Sequence, residues 1–365
     1  MPDFQHASPL QKSALYVGGY EAIGGIEAFL YDLLATLPHD KERALFVWAQ
    51  DLPALRALER DGIRVWRTAL RLGCSLGLPD AVLFARHGHR LRVSDRIVFA
   101  KIPPRAIFER IVNLARDRPQ GPAELIYVTP YRPLEMWPDG IPDYIARGLD
   151  RVLVQSAEFE DDLRQMGFGG AIDLVPYIPP PPATDPVDSP CEERPFRLGF
   201  LGRFVPQKNL FYLLDIMEEL HGEAIELHLF GGGEHVAGLG EQVAARDLPV
   251  SFHGVIAREA VPAAIDSCDA FVNPSVSEGQ CLVALEVLSR GRPFLATPVG
   301  AIPEILGKGR LGAIIPLDDI AGAAAVLRSH VAAWKAGEWR PGDIARAYAA
   351  AYPRSRIIGE YQKLL

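Results

Sequence analysis

The chain of 365 residues has only four cysteines, Cys74, Cys191, Cys268 and Cys281, with no CxxC pair among them. That argues against a disulfide framework and against a cysteine zinc site, and a reducing compartment is the simplest expectation. No apolar stretch approaches the roughly 20 residues that span a bilayer. The opening MPDFQHASPLQKS lacks the charged-then-apolar pattern of a secretion signal, so a cytoplasmic protein is expected. Positive charge is also short. With 38 Lys and Arg against 46 Asp and Glu the net charge is −8, which argues against a general nucleic-acid binder. The GxGxxG spacing of a dinucleotide-binding turn is missing as well.

What is present is ample apolar material: 48% hydrophobic and 23% charged residues, enough for two ordinary cores over this length. Short apolar runs alternate with helical patterns. Strands are expected at 13–18, 44–49, 63–66, 96–100, 125–129, 151–155 and 172–175. Between the first two, Ile26, Phe29, Leu30, Leu33, Leu34 and Leu37 recur at spacings of three and four, the apolar stripe of a helix. PYIPPPPATDPVDSP, residues 176–190, holds seven prolines in fifteen residues. Proline fixes φ and removes a donor, so this stretch reads as a linker. The alternation then restarts, with strands near 197–201, 225–230, 250–253, 270–273 and 293–296. The expected architecture is α/β, with two Rossmann-like doubly wound domains facing a central cleft. Their spans are 1–178 and 195–345, joined by a linker at 179–194. The last segment, 346–365, ends in an amphipathic helix pattern.

Three places carry chemistry. In RLGFLGRFVPQKNL (197–210) an apolar strand ends at Gly202, followed by Arg203, a proline turn and Lys208 before a helix. Two cations at a strand end can match the charge of a diphosphate without a metal. In NPSVSEGQCLVALEVLSRGRP (273–293) Glu278 precedes a helix that contains Glu286. Eight helical steps span roughly 12 Å, too far for one shared metal ion. Carboxylates accept paired hydrogen bonds from vicinal hydroxyls, so the two can grip two parts of an elongated polyol. Leu282, Val283, Leu285, Val287 and Leu288 make that helix apolar almost all round, where a glutamate is costly unless it is paired or functional. Gly279 lets backbone approach a ligand. In GGYEAIGGIEAFL (18–30), Gly24 and Gly25 open a helix with free N–H groups, a weak signal taken alone.

Together these places resemble glycosyltransferase family 4, the retaining GT-B family also described as glycosyl transferases group 1. GRFVPQKN is similar to its GR…P.KG donor motif, SEGQCLVALEVLSRGRP to its EG…LEA…G.P segment, and GGIEAFL to its GGxE loop. LHLFGGGE, VSFHGVI and ATPVGAIPEIL are lesser echoes. The likeness is strong over 197–306 and thin over 40–145. It implies transfer of a hexosyl unit from a UDP- or GDP-sugar with retained configuration and no metal or other cofactor, in polysaccharide or glycoconjugate synthesis. It further implies that Arg203 and Lys208 hold the donor diphosphate, that Glu286 binds the ribose and that Glu278 binds the transferred sugar. Backbone of Gly279, Gln280, Cys281 and Leu282 would approach the sugar or phosphate, Gly254, Val255 and Ile256 would lie near the base, and Gly24 and Gly25 would close over the phosphates. The last helix would cross back to the first domain.

The chain also departs from the family. The histidine often found past a first-domain strand has no counterpart in ELIYVTPYRP (124–133), which offers Thr129, Pro130 and Tyr131. His87 and His89 read as surface residues. Gln280 and Cys281 replace the commoner aromatic and glycine. These departures keep two alternatives open: a sugar-nucleotide-binding partner subunit without catalysis, and an epimerase of the same fold. From Arg60 to Arg118 there are thirteen Lys/Arg against five Asp/Glu, an excess of eight. This stretch has two readings, attraction to an anionic acceptor or the inner membrane face, and ordinary solvated helix faces.

Overall fold

Runs such as ELIYV and RVLV lack the alternation of a half-solvated strand, and such runs belong in parallel sheets covered on both faces. The computed structural model describes residues 13–20, 25–36, 43–49, 64–67, 88–89, 91–184, 194–307 and 311–365. These form two compact units, 1–178 with 355–365, and 179–354.

The first unit holds a seven-stranded parallel sheet made of β1 (Ser13–Tyr20), β2 (Arg43–Ala49), β3 (Arg64–Arg67), β4 (Arg96–Phe99), β5 (Glu124–Val128), β6 (Arg151–Val154) and β7 (Ala171–Leu174). Its order is β3-β2-β1-β4-β5-β6-β7, so the winding reverses between β1 and β4. Leu125 and Ile126 of β5 and Val152 and Leu153 of β6 are fully buried. Phe99 and Phe108 meet at 5.3 Å between ring centroids, joining β4 to the helix Arg105–Arg116. The helix Ala157–Gln165 begins where the Ser156 side chain accepts the Phe159 N–H.

The second unit holds six parallel strands, β8 (Phe196–Arg203), β9 (Ile225–Gly232), β10 (Val250–Gly254), β11 (Ala270–Asn273), β12 (Phe294–Ala296) and β13 (Gly312–Ile314). The order β10-β9-β8-β11-β12-β13 reverses between β8 and β11. Leu198, Leu227, Phe294 and Leu295 are fully buried in its core. Open α/β sheets bind ligands at the carboxyl ends of their strands, at such a reversal.

All twelve strands expected from the sequence are present, and β13 is one the sequence reading did not include. Two details of the domain reading also change. The start of the proline segment is not a free linker. Pro179 is buried, Tyr348 Oη donates to Pro180 O (2.8 Å), Arg354 donates to Pro179 O, and Ala183 N donates to Ser289 O (2.7 Å), so residues 179–184 belong to the second unit. The tail contains two helices. Pro341–Ala351 belongs to the second unit, while residues 355–365, most of the helix Arg354–Leu364, belong to the first. There Tyr361 Oη donates to Val175 O (3.4 Å), and Phe29 packs between the rings of Tyr177 (4.3 Å) and Tyr361 (5.8 Å).

Candidate functional site

β8 alternates Phe196, Leu198 and Phe200 into the core and delivers Gly202 and Arg203 at its carboxyl end. The Arg203 side chain is exposed and has no hydrogen-bond or ion-pair partner among the described residues. Phe204 returns to the interior, and Pro206 starts a single 3₁₀ turn, Pro206–Lys208. Asn209 then takes a left-handed conformation (φ 51°) that turns the chain into the helix Leu210–Glu219. Gln207 fastens this turn to the loop after β11. Its Nε2 donates to Ser277 O (2.8 Å), and its carbonyl accepts the Val276 N–H (3.0 Å). Lys208 is thereby held beside that loop, with Nζ 2.5 Å from Glu278 Oε1.

β11 ends in Asn273, followed by Pro274, Ser275 and the loop that carries Glu278. Glu278 is only 8% exposed, so its charge needs partners. Besides Lys208, Oε1 accepts Asn273 Nδ2 (2.7 Å) and lies 2.7 Å from Ser275 Oγ. Ser275 Oγ is also 2.5 Å from Asn273 Oδ1, so its single proton serves both acceptors. Thr297, just past β12, donates to Ser275 O at 2.5 Å and fixes the backbone there. Among the described residues nothing bonds to Glu278 Oε2, and that atom is not among the sealed, unbonded polar atoms of the interior. The ion pair joins the loops after β8 and after β11, the two strands that flank the reversal of the sheet.

Gly300 (φ 56°) lets the loop after β12 close on this structure. A Cβ there would fall 2.2 Å from Glu278 O, and the next residue donates Ala301 N–H to Gly279 O (3.0 Å). Gln280 is buried, and Cys281, at φ 55°, starts the helix Leu282–Ser289. Burial pushes the Cys281 thiol up to about 12, with the Glu278 charge adding to the effect, so it is no thiolate nucleophile. Its Sγ accepts Asn273 Nδ2 at 3.2 Å. Within the helix Ala284, Leu285, Val287 and Leu288 are fully buried, whereas Leu282, Val283 and Glu286 share a half-buried stripe. Burial raises the phenol pKa of Tyr348, and the charge of Glu286 adds a smaller push.

On the other side of β8, Phe204 N donates to Gly232 O (2.8 Å), and a Cβ at Gly231 would lie 1.8 Å from Gly202 O. Only glycine permits that approach. β10 ends at Gly254 (φ 70°), after which Val255 is 83% exposed and Ile256 half-buried. Val255 Cγ2 would stand 3.0 Å from a Cβ on Gly232, so the ends of β9 and β10 adjoin. In the first unit Gly25 opens the helix Gly25–Thr36, and Gly24 lies outside the described residues.

Residues 195–331 match the family described as Glycosyl transferases group 1. They are a glycosyl transferases group 1 domain. The D-inositol 3-phosphate glycosyltransferase of Mycobacteroides abscessus is 32% identical over 127 residues, 33% of this chain and 28% of that protein. The GDP-mannose-dependent alpha-mannosyltransferase of Mycolicibacterium smegmatis is 26% identical over 231 residues, 59% of this chain and 58% of that protein. The chain thus covers less than two thirds of the length of either relative. The crystal structure of Anabaena HepE in complex with UDP and glucose superposes with a TM-score of 0.75 at 18% identity, over 96% of this chain and 98% of that one. The fold is GT-B, with two Rossmann-like α/β units.

Within the group 1 domain the structure brings Lys208 and Glu278 into contact. It sets Arg203 at the carboxyl end of β8, Gly254–Ile256 at that of β10 on the far side of β9, and Glu286 further along the helix. One expectation is corrected. Without ligand, Glu278 does not leave both oxygens open as a grip on vicinal hydroxyls needs, because Oε1 is engaged by Lys208, Asn273 and Ser275 and Oε2 alone has no partner among the described residues. The sequence reading passed over Asn273, Ser275 and Thr297. The available signal was the NPS turn closing an apolar strand three residues before a glutamate. Among the described residues no group of three His, Cys, Asp or Glu side chains is placed to hold a metal ion, and no helix is long and apolar enough to cross a membrane. In the first unit Thr129 is fully buried, and its Oγ1 donates to Tyr131 O at 2.8 Å. Arg132 clamps that loop to Asp162 (2.9 Å) and Glu158 (2.7 Å), leaving Tyr131 45% exposed. His89 is exposed, and His87 lies outside the described residues. Five described arginines of the basic stretch face carboxylates: Arg92 with Asp117, Arg96 with Glu124, Arg105 with Glu109, Arg116 with Asp150 and Arg118 with Asp95.

Proposed function

We propose that the chain is a retaining, metal-independent glycosyltransferase that moves a hexosyl unit from a UDP- or GDP-sugar to a glycan, lipid-linked or small-molecule acceptor. The observation that carries this reading is the Lys208–Glu278 pair at the sheet reversal of a group 1 domain, with the exposed Arg203 side chain, unpartnered among the described residues, five residues before the lysine. In this reading Arg203 and Lys208 take the donor diphosphate. An acceptor oxygen bonds to the anomeric carbon as the bond from that carbon to the phosphate oxygen breaks, the acceptor's proton passes to the departing phosphate, and the two cations stabilise the negative charge on the departing nucleoside diphosphate without a metal. Glu286, on its half-buried stripe, takes the ribose hydroxyls. Glu278 Oε2 takes a hydroxyl of the transferred sugar. Backbone from Gly279 to Leu282 approaches the sugar and phosphate, Gly254–Ile256 lie along the base, and Gly24 and Gly25 approach the phosphates. Two of the three named proteins favour a nucleotide-sugar donor. One is described as GDP-mannose-dependent, and the Anabaena structure contains UDP, so both bases belong in the test.

The test is a panel of labelled UDP- and GDP-sugars incubated with the full chain in EDTA. Donor hydrolysis or transfer that survives EDTA is the expected outcome. Loss of activity that Mg²⁺ restores would remove the metal-free part, and no turnover with any donor would remove the enzymatic part. A second reading, donor binding without transfer, is favoured by the loop after β5. Thr129 there is sealed and internally bonded, and neither it nor Pro130 offers an acid–base group. Calorimetric nucleotide binding without turnover is the outcome that would support it. The five arginines already matched by carboxylates supply little free charge to an anionic acceptor or a membrane surface.

A further inference from the structure

Oε1 of Glu278 has three partners of two kinds. Lys208 is a cation that, if the proposed function holds, is wanted by the donor diphosphate. Asn273 and Ser275 are neutral, buried and fixed: Asn273 is 5% exposed at the end of β11, and Ser275 is fully buried with its carbonyl held by Thr297. A lysine shared between a carboxylate and an incoming diphosphate must loosen its hold on one of them. If Lys208 were the only partner of Glu278, the carboxylate would lose its orientation just as the sugar arrived. With Asn273 Nδ2 and Ser275 Oγ both at 2.7 Å, it does not.

We infer that Asn273 and Ser275 are positioning residues that hold Glu278 by Oε1 while Lys208 passes to the donor diphosphate, so that Oε2 alone is presented to the transferred sugar. The inference rests on the donor-binding reading and adds to it a division of labour. Lys208 is the exchangeable partner, and the Asn273–Ser275 pair is the permanent one. A carboxylate presented through one oxygen accepts from one sugar hydroxyl at a time, so substrates are selected by the position of a single hydroxyl rather than by a vicinal pair. Among the described residues, the charged and titratable groups that face Glu278 are the Lys208 ammonium, from the 3₁₀ turn, and the Cys281 thiol, from the start of the following helix.

The test uses the full chain and four proteins: the parent, Ser275→Ala, Asn273→Leu and Asn273→Asp. Titration calorimetry gives the affinity for UDP and GDP alone and for the corresponding nucleotide-sugars, and steady-state kinetics gives kcat and KM. Melting temperatures report whether each variant is folded. Ser275→Ala and Asn273→Leu are expected to bind the bare nucleotide within about twofold of the parent and to lose about tenfold of the further affinity or rate that the sugar supplies. Asn273→Asp supplies a readout that a purely structural role would not move. At neutral pH its carboxylate repels Glu278, whereas at lower pH one of the two holds a proton and the hydrogen bond re-forms. Its sugar-dependent step should therefore recover as pH falls, a limb absent from the parent and from Asn273→Leu. If a parent that binds nucleotide-sugar has variants with unchanged sugar contribution, or if Asn273→Asp shows no acid recovery, the positioning role is wrong. Should Asn273→Leu fail to fold, Ser275→Ala and Asn273→Asp still decide the matter. A parent that binds no nucleotide at all would sink the donor reading itself, and this assignment with it.

Discussion

Lys208 and Arg203 sit five residues apart yet are in opposite situations. Lys208 is partly buried and spoken for by Glu278, whereas Arg203 is exposed and, among the described residues, unmatched. Removing Arg203 takes away one charge and leaves the rest of the site intact. Removing Lys208 also withdraws a counter-charge from a carboxylate that is 8% exposed. If Arg203 and Lys208 hold the donor as proposed, Arg203→Ala and Lys208→Ala should each lower kcat/KM with the nucleotide-sugar by about 100-fold or more, because each removes charge stabilisation of the leaving diphosphate. Only Lys208→Ala should also lower the melting temperature. Near-parent kinetics in both variants would dispose of the phosphate assignment. These charged residues stood out in the sequence as cations where an apolar strand stops, next to glycine and proline, a pattern that ordinary solvated surface also shows. Their mutual pairing was not legible. Lys208 and Glu278 are 70 residues apart in the chain, and only the β8–β11 adjacency brings them together. Asn273 and Ser275 were overlooked for another reason: Asn, Pro and Ser after a strand are ordinary turn formers, and nothing local distinguishes a turn from a clamp.

At the scale of elements, the buried parallel strands announced themselves as short apolar runs. β13 did not, since three residues, Gly-Ala-Ile, are too few to establish a pattern. The proline segment misled in an instructive way. Proline lacks a donor but keeps its carbonyl, and the carbonyls of Pro179 and Pro180 are what Arg354 and Tyr348 hold. β9 and β10 carry their own pH dependence. His228 Nδ1 lies 2.9 Å from His253 Nε2, and His253 stacks on Phe230 at 4.4 Å. His228 Nε2 stands 3.5 Å from Glu226, too far for a good hydrogen bond. Burial, and then the neighbouring His253, hold the His228 pKa below its usual value. As pH falls through about 6.5, the unfolded chain takes up this proton more readily than the folded one, so acid removes stability. Melting temperatures measured from pH 8 to pH 5 should fall for the parent and fall less steeply for His228→Gln. Identical slopes would show that His228 does not titrate against the fold.

At the scale of the whole molecule, the chain leaves the first unit at residue 178 and returns to it at 355. The returning helix is part of the first unit's interior. Tyr361 is 1% exposed, Leu365 is fully buried, and Gln362 Nε2 donates to Thr36 O at 2.9 Å. Tyr361→Ala removes an aromatic ring packed against Phe29 and should cost about 3 kcal/mol. Chemical denaturation with separate probes on the two units should show that loss in the first unit, with the second unchanged. A loss shared equally would mean that the two units unfold as one.

Arg354 donating to Pro179 O has a consequence for how this protein can be taken apart. A stretch of 176 residues, 179–354, begins and finishes at the same spot, one hydrogen bond across, and carries its own sheet and core. In effect it is a cassette spliced into a host whose two pieces flank it. Cut out at those two points, the cassette should melt cooperatively by circular dichroism and bind UDP or GDP more weakly than the full chain, by the share that Gly24 and Gly25 of the host give to the phosphates in the proposed reading. The host, closed by a short Gly-Ser bridge between residues 178 and 355, should accept a cassette from another group 1 protein.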